Sequence, residues 1–185
     1  MKFHEVEFNE EEIEIVKEQV EKKNKELGYN NIDVDKDTRW CGVLGELAFK
    51  EYLKDFGLKE DIYFTYEATL DLKNTIPYDF IVGIINPLKL DVKTSATDWY
   101  PKKDYACNVN RIQYEKGGCD GYIFARYIKP KRIVVLLGWL LKADFDELKT
   151  LIHKGDKEGK YIASSDHYQV PIDRLRPLFN LTETK

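Results

Sequence analysis

Two aspartates and a lysine fall close together in one stretch of this chain, Pro77-Tyr78-Asp79-Phe80-Ile81-Val82 followed by Leu88-Lys89-Leu90-Asp91-Val92-Lys93-Thr94-Ser95. Side chains alternate on a strand, so Leu88, Leu90 and Val92 take one face while Asp91 and Lys93 share the other, ~7 Å apart. The apolar face fixes the strand in a core, and the charged face is then carried inward. Buried carboxylates are costly unless they are paired or bind a cation. Two aspartates beside one lysine suit a hard divalent ion, Mg²⁺ above all, with Mn²⁺ as its substitute. Such an ion polarises a phosphoryl oxygen and lowers the pKa of a bound water, while Lys93 positions that water or offsets charge on the phosphate. This is the chemistry of phosphodiester hydrolysis.

Glu46, in Gly42-Val43-Leu44-Gly45-Glu46-Leu47-Ala48, offers a third carboxylate. On a helix it lies beside Val43, at the edge of the apolar stripe, where it can point toward a sheet. Glycines cost helix stability, so Gly42 and Gly45 imply close packing or a functional reason. The hairpin that carries the aspartates is the sharper constraint. A two-residue turn at Asn86-Pro87 would pair Asp79 with residue 94 and set it on the face opposite Asp91. A common face requires an odd-length loop or a bulge, with Gly83 as its place. Pro87 agrees, because a type I′ turn needs a positive φ that proline cannot adopt.

The elements that must position these groups follow from periodicity and stop signals. Asn9 followed by three glutamates caps a helix over 9–27, and Gly28 ends it. A second helix runs from Thr38 to Gly57, with Trp40, Val43, Leu44, Leu47 and Ala48 on one stripe. Strands are predicted at 61–68, 78–85 and 88–94, a helix at 105–116 ending at Gly117-Gly118, and strands at 120–128 and 132–141. A helix over 143–152, an edge strand at 168–170 and a short last helix from Pro171 complete the chain. The expected class is α/β, a central mixed sheet flanked by helices in αβββαβ order, as one domain whose core spans about 39–141.

The helix glutamate, the proline-led aspartate, and Asp-x-Lys closing an apolar strand resemble the PD-(D/E)XK or restriction-endonuclease-like superfamily over about residues 39–127. The resemblance implies that Asp79 and Asp91 bind Mg²⁺, that Lys93 assists the attacking water, that Glu46 is a further ligand and that the Val92 carbonyl is another. Asp79 departs from the pattern in following Pro-Tyr rather than Pro directly. The resemblance also points to a polar residue on the next helix, Gln113, with Thr94 and Ser95 beside the lysine in secondary roles. Gly138-Trp139-Leu140 and Tyr168-Gln169-Val170-Pro171 are similar to segments of small nucleases of phages and mobile elements. A second triplet, Asp71-Leu72-Lys73, lacks alternating apolar neighbours and is read as loop surface.

Composition bounds the partners. The 185 residues carry a formal net charge of −4, yet residues 1–30 hold nine Glu against five Lys, whereas residues 89–132 hold ten Lys or Arg against five acids. DNA is therefore expected to approach the middle of the chain, along Lys102, Lys103, Arg111 and Lys116. Trp99 and Tyr100 are read first as packing or loop anchors and second as base-stacking groups. Cys41, Cys107 and Cys119 are read as core residues, too scattered for a disulfide framework or a zinc site. The scattered histidines exclude HExxH chemistry. No apolar run reaches the ~20 residues of a membrane helix, and the acidic start excludes a secretory signal, so an intracellular protein is expected. Abundant Lys and Glu suit a heat-adapted source. The expected activity is a Mg²⁺-dependent deoxyribonuclease, an endonuclease rather than an exonuclease, with a symmetric homodimer compatible with cutting both strands. The competing expectations are a non-cleaving nucleic-acid-binding or interaction protein on the same fold, and a structural protein of a virus or mobile element.

Overall fold

Ile133 to Leu137, and Tyr122 to Ile128 apart from the half-buried Arg126, are buried on both faces, which is why they read as apolar runs rather than as alternation. They form the middle of a six-stranded sheet. The computed structural model describes residues 3–28, 39–55, 62–64, 78–83, 86–158 and 161–183. Along the chain lie β1 (His4–Glu7), α1 (Glu10–Glu26), α2 (Arg39–Asp55), β2 (Ile62–Phe64), β3 (Phe80–Val82), β4 (Leu88–Thr97), β5 (Ala106–Asn110) and α3 (Arg111–Lys116). There follow β6 (Gly121–Ile128), β7 (Ile133–Leu141), α4 (Lys142–Leu148), β8 (Thr150–Ile152), β9 (Lys157–Glu158), β10 (Tyr161–Ile162) and β11 (His167–Pro171). Short 3-10 turns occupy Lys129–Lys131, Ile172–Arg174 and Leu178–Glu183.

The large sheet has the order β1-β7-β6-β4-β3-β2. Only β4 and β6 run parallel; the other neighbours are antiparallel. One face is covered by α1 and α2, through Val16, Val20, Leu44 and Phe49 against Phe80, Leu90, Val92, Ile123 and Val134. The other face packs Tyr122, Phe124, Val135 and Leu137 against Val109, Phe145 and Val170. That second layer includes a smaller antiparallel sheet, β5-β11-β8. The chain is thus mixed α/β, with a mixed sheet between helices on one side and a helix-and-strand layer on the other.

Several elements form for local reasons visible in the sequence. Asn9 Oδ1 accepts from the Glu12 N–H at 2.9 Å while Glu12 Oε2 accepts from the Asn9 N–H at 2.8 Å, a reciprocal cap that starts α1. In β7 the pairing steps from Phe124↔Gly138 to Ala125↔Leu136, so Leu137 is an extra residue and the inward alternation inverts. A Cβ at Gly138 would stand 2.6 Å from the Arg176 carbonyl oxygen, which is why glycine occupies the bulge.

Four expectations need correction. Residues 105–110 are not helical: Cys107 and Val109 point inward in alternation, and β5 pairs with β11, leaving only Arg111–Lys116 as helix behind an Asn110 cap. The helix expected over 143–152 stops at Leu148, and Thr150–Ile152 pairs with β11. Consequently β11 is the central strand of its sheet rather than an edge. The opening strand β1 was not anticipated, because its His-Glu-Val-Glu sequence carries one apolar residue. The outer parts of the strand expected at 61–68, the ends of the second helix at Thr38 and Gly57, and the Asp71-Leu72-Lys73 triplet lie outside the described residues.

Helix α2 sits directly on β4. A Cβ at Gly45 would fall 1.8 Å from Thr94 Oγ1 and 3.0 Å from Thr94 Cβ. Rotating Thr94 about χ1 gives incomplete relief, because one rotation puts the methyl in the hydroxyl's place and neither moves the Thr94 Cβ from 3.0 Å. Gly45→Ala is therefore expected to push α2 off the sheet at a cost of about 1–3 kcal/mol, lowering Tm by roughly 3–10 °C. Adding Thr94→Ala, which removes the two outer atoms, recovers most of that loss. Thermal melts of both variants check this, and a Gly45→Ala protein as stable as wild type would contradict the close seat.

Candidate active site

The hairpin register decides which face each acid takes. Phe80 pairs with Leu90, Ile81 with Lys89 and Val82 with Leu88. Continued by one step, Asp79 stands opposite Asp91, on the face away from α2, because Phe80 and Leu90 both lie in the core beneath that helix. The connection from Gly83 to Pro87 has odd length, and Gly83 has φ +97°, the left-handed value that glycine tolerates.

The regular β3–β4 ladder ends at Phe80, and the aspartate continues it with its side chain. The Asp79 N–H donates to the Leu90 carbonyl at 2.9 Å, and the Val92 N–H donates to Asp79 Oδ2 at 2.7 Å. A strand residue directs its N–H and C=O toward the same edge, so the Val92 carbonyl points to the edge where the Asp79 carboxylate lies. Two residues along β4, Lys93 Nζ is 2.7 Å from Asp91 Oδ2, each side chain 16% exposed.

The electrostatics follow from this crowding. Burial, and then the neighbouring Asp91 charge, raise the Asp79 carboxyl well above the usual range, against the lowering effects of the Val92 N–H and Lys93. Burial works against the Lys93 charge, but Asp91, by charge and by hydrogen bond, outweighs it with help from Asp79, and the net pKa is raised. Lys93 is therefore held as ammonium. Cys119 is buried beside the group, and its thiol is pushed up first by burial and next by Asp91. Tyr122 is paired with Asp91 across β4–β6, and its hydroxyl is pushed up chiefly by burial and next by Cys119.

The structure thus brings Asp79, Asp91 and Lys93 together. Glu46, 8% exposed, sits on α2, which covers the other face of β4. Thr94 faces Gly45 of α2, not the aspartates. Ser95 follows on the aspartate face and is exposed. Gln113 is half-buried on α3, its backbone N–H on Asn110 Oδ1. Of the expected basic surface, Lys102, Lys103 and Lys116 are exposed, whereas Arg111 is committed to Glu115 at 2.7 Å and Asp166 at 3.4 Å. Cys119 and Tyr122 were missed as neighbours of the site. Their only signal is the parallel β4–β6 register, which the sequence does not state.

Among the described residues no three His, Cys, Asp or Glu side chains converge as a metal-ligand group. Two carboxylates with a backbone carbonyl are nonetheless hard oxygen donors, and Mg²⁺ is commonly held by one or two carboxylates with water completing its shell. Burial first, and the Asp91 charge second, penalise the ionised Asp79 carboxyl, and a divalent cation on its oxygens would offset both. The donors present fit such an ion. Neither a family model, nor a curated protein, nor a solved structure matches this chain.

The Asp79 shift has a consequence for stability. A carboxyl raised in the folded state stabilises the fold below its unfolded pKa of about 3.9, and that contribution is lost as pH rises through the folded value. Asp79→Asn removes the charge but keeps an oxygen for the Val92 N–H. In EDTA the variant should melt about 2–4 °C above wild type at pH 8, with the gap closing toward pH 4. Melts across that range test it, and a variant that melts lower at pH 8 would refute the crowding.

Proposed function

We propose that the chain is a Mg²⁺-dependent deoxyribonuclease of the restriction-endonuclease-like type, hydrolysing phosphodiester bonds. The observation that carries this reading is the register that sets Asp79 against Asp91 with Lys93 two residues on. The order α2-β2-β3-β4, then β5 of the smaller sheet, α3 and β6, with β4 and β6 parallel, supports it as an αβββαβ core interrupted by β5. Asp79, Asp91 and the Val92 carbonyl would hold the cation, which when bound supplies positive charge to the phosphate and acidifies water. Lys93, kept protonated by Asp91, donates to a phosphate oxygen or orients the attacking water. Glu46, buried on α2, stands in this reading as a further ligand on the resemblance alone.

A second reading, a non-cleaving nucleic-acid-binding protein on this fold, is favoured by one observation, the absence of a third converging ligand side chain among the described residues. Cleavage assays separate the two. Wild type, Asp91→Ala and Lys93→Ala are incubated with duplex, single-stranded, flapped and four-way-junction DNA in Mg²⁺, Mn²⁺ or EDTA. Wild type should cut only with metal, and Asp91→Ala and Lys93→Ala should each lose about 10²–10⁴-fold in rate. Cleavage that persists in Asp91→Ala refutes the site, and metal-independent binding without cleavage establishes the second reading.

A further inference from the structure

The two charged residues of the candidate site lie near the start of β4, and an exposed aromatic pair lies just beyond its end. Trp99 is 68% exposed and Tyr100 41%. Their loop is nevertheless held firmly. The Trp99 N–H donates to Thr97 Oγ1 at 3.2 Å, the Tyr100 hydroxyl donates to Glu5 of β1, Phe3 packs on Tyr100 with ring centres 6.4 Å apart, and Pro101 is buried. A tryptophan ring kept in water by an anchored loop exposes costly apolar area. That cost is offset only if something covers the ring.

The surroundings say what kind of group fits. β4 and β6 end side by side at Thr97↔Ile128, so the turn Lys129–Lys131 adjoins the Trp99 loop, and Lys131 Nζ stands 5.7 Å from the Tyr100 ring centre. Lys102, Lys103 and Lys129 are exposed. The nearby acids are Asp98 and Asp104, with Glu5 engaged by Tyr100 and Glu10 by Arg132 at 3.3 Å. An exposed Trp99 ring in a loop flanked by exposed lysines, one of them against the neighbouring Tyr100 ring, is a poor match for the charge-depleted core of a protein hot spot. It suits a polyanion whose bases offer π faces, and bases are available for stacking only where they are unpaired.

We infer that Trp99 and Tyr100, with Lys102, Lys103 and Lys131, form a stacking platform for unpaired DNA nucleotides. The inference deepens the nuclease reading and rests on it for the nature of the ligand. Lys93 to Thr97 spans ~13 Å of strand, so the platform lies several phosphates from the candidate site at a duplex spacing of ~3.4 Å per strand. The substrate class is then DNA with a single-stranded segment, such as a flap, overhang or splayed junction, rather than an uninterrupted duplex.

The test is equilibrium binding in EDTA, where no metal-dependent cleavage intervenes. Fluorescence anisotropy of labelled oligo-dT and of a blunt duplex is recorded for wild type, Trp99→Ala, Trp99→Phe and Lys102→Ala, with melting curves as folding controls. Trp99→Ala should weaken oligo-dT binding roughly 5- to 100-fold and leave duplex binding unchanged. Trp99→Phe should keep most of the affinity. Lys102→Ala should shallow the salt dependence of oligo-dT binding by about 0.7 in logarithmic slope. Equal oligo-dT binding by Trp99→Ala and wild type overturns the proposal. So does a parallel loss on duplex, or a wild-type dimer that Trp99→Ala dissociates. If wild type fails to cleave while Trp99→Ala still loses oligo-dT, the nuclease reading falls and the platform stands. If wild type cleaves and Trp99→Ala binds normally, the reverse holds.

Discussion

Like charges set directly opposite one another on antiparallel strands repel, and Asp79 and Asp91 are placed in that relation by the β3–β4 register. What enforces the register is on the other face. Phe80, Val82, Leu90 and Val92 are all buried beneath α2, each side chain contributing about 1.5–3 kcal/mol by burial. A cross-strand charge pair costs no more than about 1 kcal/mol. A slip by one residue would expose the whole apolar set, so burial prevails and the acids stay together. Val92 and Lys93 then moderate the clash, one through its N–H on Asp79 and the other through its ammonium on Asp91.

That logic was legible in the sequence where alternation and turn chemistry are local. Leu88, Leu90 and Val92 announce the buried face, Asp91 and Lys93 the opposite one, and Pro87 is compatible with a longer loop because it cannot take the positive φ of a type I′ turn. The Asn9 cap and the core runs 121–128 and 133–141 were legible for the same reason. The failures were non-local. Nothing in Ala106–Asn110 marks it as a strand until β11 is present to pair with it. His4–Glu7 is held by β7 rather than by its own pattern. Glu46 lies at the edge of an amphipathic stripe, and helix phase alone does not tell which face of the sheet that helix will cover.

β4 therefore serves two layers with one sequence. Its even-numbered residues Leu90, Val92 and Thr94 seat α2, with Gly45 drawn down against Thr94. Its odd-numbered residues Asp91 and Lys93 face the second layer, beside Tyr122 and Cys119. Substitutions on the two sets act on different properties, because the first removes buried apolar contacts and the second changes charge. The hairpin partner follows the same division, with Phe80 edge-on to Phe49 of α2 at 5.0 Å between ring centres and Asp79 on the charged side.

The charge balance of the cluster explains why a cation belongs in the proposed reading. With both carboxyls ionised, Asp79, Asp91 and the Lys93 ammonium carry one excess negative charge, and a phosphodiester would be repelled. Protonating Asp79, as its raised pKa favours, removes the repulsion but leaves little to attract the substrate. A divalent ion on the same oxygens turns the excess positive by one charge, matching the single negative charge of the bond to be cut. Lys93 alone does not achieve this, because its ammonium is already neutralised by Asp91 at 2.7 Å. The ion pair is thus better suited to keeping Lys93 protonated and aimed than to binding phosphate by itself.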